Sequence, residues 1–229
     1  MTAKRSSTRK KRPETVQEPR AEPPLSRERI VTAAVELLDA EGVGGLTMRR
    51  LADHIGAGVM SLYWHVDNKE DVLALALDCV LDYRRPPDMA GPSDWRDEVL
   101  HLLEDWRAVM LRHPWSASLL PRQVLGRNAL ARLERLSMTL SKAGVAEADL
   151  NAAIWSFWNY VMGATITRSS FDLSAKDRAD AQQRLAQPGG QHPAIERSGL
   201  LQEDDWDGVF RKGLGFLLDG LSLQGQTTA

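Results

Sequence analysis

Residues 47–66, TMRRLADHIGAGVMSLYWHV, decide the fold of this chain. Leu51, Ile55, Val59 and Leu62 recur at spacings of four, four and three, so one apolar stripe runs through two short helices. Ala52 precedes Gly56 by four residues. A small residue there lets the two helices approach closely, and glycine at the turn accepts a positive φ without steric cost. The second helix carries Met60, Ser61, Tyr63 and Trp64, a mix suited to base edges, sugars and phosphates. The pattern is that of a helix-turn-helix, although an ordinary helical hairpin in an all-α core shares it.

The flanks extend the pattern. Upstream, Ser26 is placed to cap a helix running to about Glu41, with Ile30, Ala34, Leu37 and Leu38 inward and Gly42 ending it. Downstream, Asp67 or Asn68 caps a helix from Lys69 to about Asp82, with Glu70 and Asp71 at its positive end. Its apolar residues are Val72, Leu73, Leu75, Ala76, Leu77 and Val80. With RIVTAAVELL (29–38), GLTMRRLA (45–52) and SLYWHVDNKEDVL (61–73) in place, the sequence resembles the TetR family of bacterial repressors. LYWHV followed by NKE is similar to its tetracycline-repressor branch.

The resemblance implies an all-α protein: an N-terminal three-helix helix-turn-helix domain plus a larger helical domain for ligand binding and dimerisation. It implies a homodimer on double-stranded operator DNA, released by a small-molecule effector. It also implies a DNA-contact set of Thr47, Arg49, Gly58, Val59, Met60, Ser61, Tyr63, Trp64, His65 and Lys69. The chemistry of these residues agrees. Arg49 can make a bidentate contact to guanine, Thr47, Tyr63, His65 and Lys69 suit phosphate oxygens, and Val59 and Met60 suit a thymine methyl. Gly58 has no side chain where family members often carry a polar reader. Trp64 reads equally as a wedge between the reading and connecting helices.

Composition bounds the rest. A chain of 229 residues accommodates one small and one larger domain. The single cysteine, Cys79, excludes an internal disulfide and a cysteine-based zinc site. There is no run of eighteen apolar residues and no apolar segment behind the basic start, so a cytoplasmic protein without membrane contact is expected. The five histidines show no metal-binding spacing, and no phosphate-binding glycine loop or nucleophile elbow occurs. Neither enzyme activity nor a cofactor nor a metal is expected.

The net charge of −2 divides unevenly. Residues 1–25 carry seven Lys/Arg against three Glu, while residues 26–85 carry seven against ten acids. Lys4, Arg5, Arg9, Lys10, Lys11 and Arg12 precede the first acid, and Pro13, Pro19, Pro23 and Pro24 make the remainder an extended linker. Residues 1–25 thus read as a flexible cationic arm laid on DNA, or as a solvated tail.

The helix-turn-helix domain spans 26–85, and Arg84-Arg85-Pro86-Pro87 through Gly91-Pro92 marks the boundary to a domain of residues 92–223. There, Trp95, Val99, Leu102, Leu103, Trp106, Val109 and Met110 form the stripe of a helix ending at Arg112, before His113-Pro114. Trp115 to Leu120 reads as an apolar connector, and a helix from about Gly126 to Ala143 presents Leu130, Leu133, Leu136 and Leu140. A helix over Glu147–Ser170 is apolar on two sides, and the last helix runs from Asp205 to about Leu223. Leu150, Ile154, Phe157, Trp158, Val161, Phe210, Leu214, Leu217, Leu218 and Leu221 are the expected dimer interface, since the family pairs these two helices with their copies. Residues 173–204 are polar, with a surface helix over about Ala175–Gln187, and read either as cover for a pocket or as a long surface loop.

Trp106, Met110, His113, Trp115, Trp155, Asn159 and Met162 are the candidate walls of a pocket for a hydrophobic effector, with a filled aromatic core as the competing reading. Asn159 favours the pocket, because a buried amide needs a partner. The alternative for the whole chain is an architectural or constitutive DNA-binding regulator without an effector. Deleting residues 1–12 is expected to weaken DNA binding and flatten the slope of log K against log salt, by about one unit for each phosphate that the arm no longer neutralises. An unchanged slope would reduce the arm to a tail.

Overall fold

The computed structural model describes residues 24–83, 94–123, 125–170, 174–185, 192–199 and 205–227. All regular structure among them is helical: α1 (Arg27–Gly45), α2 (Met48–Ile55), α3 (Val59–Leu62), α4 (Lys69–Val80), α5 (Trp95–Arg112), α6 (Pro114–Leu119), α7 (Arg127–Lys142), α8 (Glu147–Ser170), α9 (Ala175–Leu185), α10 (Pro193–Ser198) and α11 (Trp206–Thr227). The basic arm, the 84–93 boundary and the linkers beside α9 and α10 lie outside the described residues. No helix among the described residues is long and apolar enough to cross a membrane.

The first four helices start and stop for local reasons. Ser26 accepts from Arg29 N at 3.2 Å, and Gly42 takes φ 68°, so the regular part of α1 ends there before a further turn to Gly45. Thr47 accepts from Arg50 N at 3.2 Å and starts α2. Gly56 closes α2 in the left-handed region, φ 75° and ψ 30°, its N–H aimed at the carbonyls of Ala52 and Asp53. Asn68, rather than Asp67, caps α4 by accepting from Asp71 N at 2.9 Å. Ile30, Ala34, Leu51, Ala52, Leu62, Val72 and Ala76 are all fully enclosed. Arg29 Nη2 donates to the last carbonyl of α2, Ile55 O, at 3.0 Å, tying α1 to the turn.

Helices α5 to α8 and α11 continue the same core. Val99, Leu102, Leu103, Trp106 and Met110 of α5 pack against α7 and α8, and α11 covers α8 with Phe210, Leu214 and Leu218. Tyr160 of α8 donates to Phe210 O at 3.0 Å. A Cβ at Gly213 would collide with the Tyr160 hydroxyl, so this glycine serves a close approach inside the subunit. The segment after Pro114 is a helix rather than a connector. Pro114 sits in its first turn, where a missing N–H costs nothing.

Helix α7 departs from its leucine stripe. Leu130 is 52% exposed, while Arg132 is 1% exposed in the core. The arginine is accommodated because its Nε donates to Leu81 O at 2.6 Å and its Nη2 pairs with Asp105 at 2.8 Å. Burial pulls the guanidinium pKa down from its ordinary range, and the adjacent Asp105 opposes that shift.

Two polar joints connect the first four helices to the rest. At one, Asp39 of α1 accepts from Trp115 Nε1 at 2.6 Å and pairs with His113 Nδ1 at 2.7 Å. At the other, Asp78 of α4 caps α7: its Oδ1 accepts from Asn128 N at 2.7 Å and from Ala129 N at 3.3 Å. Asn128 Nδ2 returns a bond to Asp78 O at 2.9 Å. Gly126 makes room for the carboxylate, since a Cβ there would overlap it. Asp78→Ala removes a helix cap and strands two N–H groups. Urea denaturation should show a loss of about 1–2 kcal/mol.

Candidate DNA-reading face and effector groove

The turn after α2 presents its polar and large apolar residues outward. Leu62 and Val66 are buried at 0% and 2%, and they anchor the segment from one side. Helix α3 ends at Leu62, and the chain turns through Tyr63–His65, with Val66 N bonded to Leu62 O at 3.1 Å. Tyr63 and Trp64 are thereby turned away from the core, at 45% and 87% exposure, and Met60 is 74% exposed. Trp64 therefore wedges nothing: it stands on the surface. Val59 is half-buried against the core, so its packing competes with any outward contact. Gly58 is exposed at the start of α3, and a Cβ there would meet only Ser61 Oγ at 3.6 Å, which is ordinary contact.

The two adjacent arginines differ. Arg50 bonds Gly45 O at 3.2 Å and forms a close ion pair with Glu41, which commits it to the end of α1. Arg49 is exposed and has no hydrogen-bond or ion-pair partner among the described residues. Thr47 and Ser61 are exposed and His65 is half-buried. Lys69 is half-buried and donates from Nζ to Val43 O at 3.1 Å, leaving two of its three donors.

In the C-terminal helices a groove of about 840 Å³ opens between α7 and α8. Its apolar walls are Leu120, Leu125, Leu130, Leu133, Ile154, Trp155 and Trp158, and Gln123, Arg127, Glu134 and Ser137 supply polar groups. Of the seven residues expected to line a pocket, Trp155 alone borders this groove. Trp106, Met110 and Met162 lie one layer deeper, around a cavity of about 10 Å³ that shares Leu133, Ile154 and Trp158 with the groove. His113 and Trp115 are away from both, at the Asp39 joint. Asn159 is exposed on the outer side of α8, so no buried amide calls for a ligand.

Five of the ten expected dimer residues are already enclosed within one subunit. Phe157, Val161, Phe210, Leu214 and Leu218 are buried at 3% or less within one subunit, because α8 and α11 use these stripes to pack on each other and on α5. Leu150, Ile154, Trp158, Leu217 and Leu221 are half-buried against the same core, and Ile154 and Trp158 also border the groove. The apolar residues left outward on these helices are Ile166 at 52%, Val209 at 57% and Phe216 at 66%. Gly163, Gly215 and Gly220 have open space where a Cβ would stand. Sequence periodicity found two apolar sides on α8 but could not say which was inward. Leu130 was not expected at the groove, because a leucine at helical spacing reads as core, and Leu125 carried no signal in the sequence.

An all-helical chain with an exposed reading turn and a separate apolar groove has the architecture of a bacterial transcriptional regulator. Residues 30–76 match the bacterial regulatory proteins of the tetR family, and residues 87–224 match the tetracyclin repressor-like C-terminal domain. The chain belongs to the TetR family of transcriptional regulators. An HTH-type transcriptional regulator of Saccharopolyspora erythraea is 40% identical over 206 residues, covering 89% of this chain and 87% of that protein. The HTH-type transcriptional repressor DrrR1 of Streptomyces coeruleorubidus is 34% identical, covering 88% of this chain and 78% of its own length. The crystal structure of the Streptomyces coelicolor TetR family protein ActR in complex with actinorhodin superimposes with a TM-score of 0.74 at 28% identity, covering 89% of this chain and 99% of that one.

Proposed function

We propose that this chain is a ligand-responsive repressor that binds a palindromic operator as a homodimer in the cytoplasm. The reading unit corresponds to residues 26–85 and the ligand-binding and dimerisation unit to 92–223, with residues 1–25 as a cationic arm. The observation that carries the reading is the contrast between Arg49 and Arg50. One of two neighbouring arginines is engaged in the fold, and the other is left exposed, as are Met60, Tyr63 and Trp64 of the following helix and turn. Arg49 supplies the base contact, with Gly58, Met60 and Ser61 close to the groove floor. Thr47, Tyr63, Trp64, His65 and Lys69 hold sugars and phosphates, and Val59 contributes mainly by packing.

A second copy covers the outward face around Ile166, Val209 and Phe216, where the open glycines admit a partner helix. The effector occupies the groove between α7 and α8. Its volume of about 840 Å³ suits a drug-sized molecule, and its tryptophan and leucine walls suit an apolar ring system. The relative with a ligand in its structure holds actinorhodin, which supports an organic effector for this chain too. Because α7 forms one wall and is capped by Asp78, its displacement by a ligand reaches α4 and changes the spacing of the two reading heads.

Arg49→Ala should weaken operator binding by about 1–3 kcal/mol and relax the preference at one symmetric base position. Unchanged affinity and base preference in the folded variant would exclude Arg49 as a reader. Phe216→Glu should convert the dimer to a monomer in sedimentation and abolish tight operator binding. A dimer persisting in that variant would place the interface elsewhere.

A further inference from the structure

The cavity of about 10 Å³ behind the groove holds an unmet polar demand. Trp106 lines it and is 2% exposed, yet its Nε1 has no hydrogen-bond partner among the described residues. Arg132, whose guanidinium carbon lies 5.8 Å from the Trp106 ring centroid, has a second buried donor without a partner, Nη1. Buried N–H groups are seldom left unpaired, because they have given up water and received nothing in return. A single water would fit but would be poorly held, because every residue lining the cavity besides the two tryptophans is apolar and a buried water needs several polar partners.

The partition between cavity and groove is thin. Leu133, Ile154 and Trp158 border both. Trp158 stands edge-on to Trp106 with ring centroids 5.0 Å apart, and edge-on to Trp155 of the groove at 6.4 Å. Because Trp158 lines both spaces, a turn of its ring would join them and give a group projecting from a groove ligand access to Trp106. The room suffices for one oxygen atom. Among the lining residues the unpartnered buried polar atom is a donor, Trp106 Nε1, so a hydroxyl would leave its own proton unpaired, whereas a carbonyl oxygen accepts and has nothing to donate.

We propose that the effector is an apolar ring system bearing a carbonyl, and that Trp106 Nε1 donates to that oxygen beneath Trp158. This rests on the reading of the α7–α8 groove as the effector site. It adds to it the residue that selects among ring-shaped ligands. A site built to satisfy a buried donor rejects an analogue lacking the acceptor more strongly than it rejects a difference in ring size.

Equilibrium dialysis of the full chain against 9,10-anthraquinone and anthracene tests this, since the two share a ring frame and differ in the carbonyl oxygens. Wild type should prefer the quinone. Trp106→Phe, and Trp106 replaced by β-(3-benzothienyl)alanine, which keeps the bicyclic shape without the N–H, should each lose about five- to tenfold in quinone affinity, the worth of one hydrogen bond. Anthracene binding by the benzothienyl variant should stay within about twofold. Should the phenylalanine variant fail to fold, the benzothienyl variant decides alone. Equal binding of both probes by wild type, or undiminished quinone binding by the benzothienyl variant, overturns the role of Trp106 and leaves the groove standing. Binding of neither probe by wild type overturns the groove and this inference together.

Discussion

The carboxylate of Asp78 at the N-terminus of α7 is the contact on which the rest of the molecule depends. Helix α4 is a core element of the reading unit, with Val72, Leu73, Ala76 and Leu77 buried against α1. Its last turns also hold the wall of the groove. Asp78 closes the free N–H groups of Asn128 and Ala129, and Leu81 O takes the buried Arg132. A helix N-terminus favours negative charge, and an anion delivered from another helix fixes distance and direction together. Gly126 is the sequence cost of that approach, because no side chain fits between Asp78 and the helix start.

The joint turns two units into one continuous apolar core, running from Ile30 and Leu51 through Leu81 to Trp106 and Leu214. The Asp39 contacts to His113 and Trp115 make a second attachment on the other side of α1. Two attachments fix the packing of the first four helices on the rest better than one. Apolar packing alone tolerates sliding, whereas hydrogen bonds with defined donors and acceptors fix a register. Arg132 is the clearest instance: its burial costs more than a leucine would, and in exchange it links α4, α5 and α7 through Leu81 O and Asp105.

Much of the chain was legible before its structure. The cap at Ser26, the choice of Asp67 or Asn68 as the cap of α4, the turn at Gly56 and the span of α8 all follow from local chemistry, whereas the Thr47 cap was not foreseen. Local chemistry acts over three or four residues, and a single chain displays it openly. The faces of α8 and α11 did not follow. Both helices are apolar on more than one side, and only their neighbours decide which side is core: Phe157 and Leu214 went inward, Ile166 and Phe216 outward. The same reason hid the groove, since Leu130 looks like core in any helical repeat and stands exposed at its wall.

The family, the all-α class and the reading turn were thus set by the sequence alone, because spacing, caps and glycine turns are properties of short segments. The place of the groove, the outward face and the partners of Arg50, Asp78 and Arg132 were decided by tertiary structure. Each depends on residues tens of positions apart meeting in space, as Asp78 meets Asn128 and Leu81 meets Arg132. No periodicity within either helix encodes such a meeting. It arises when the whole core closes.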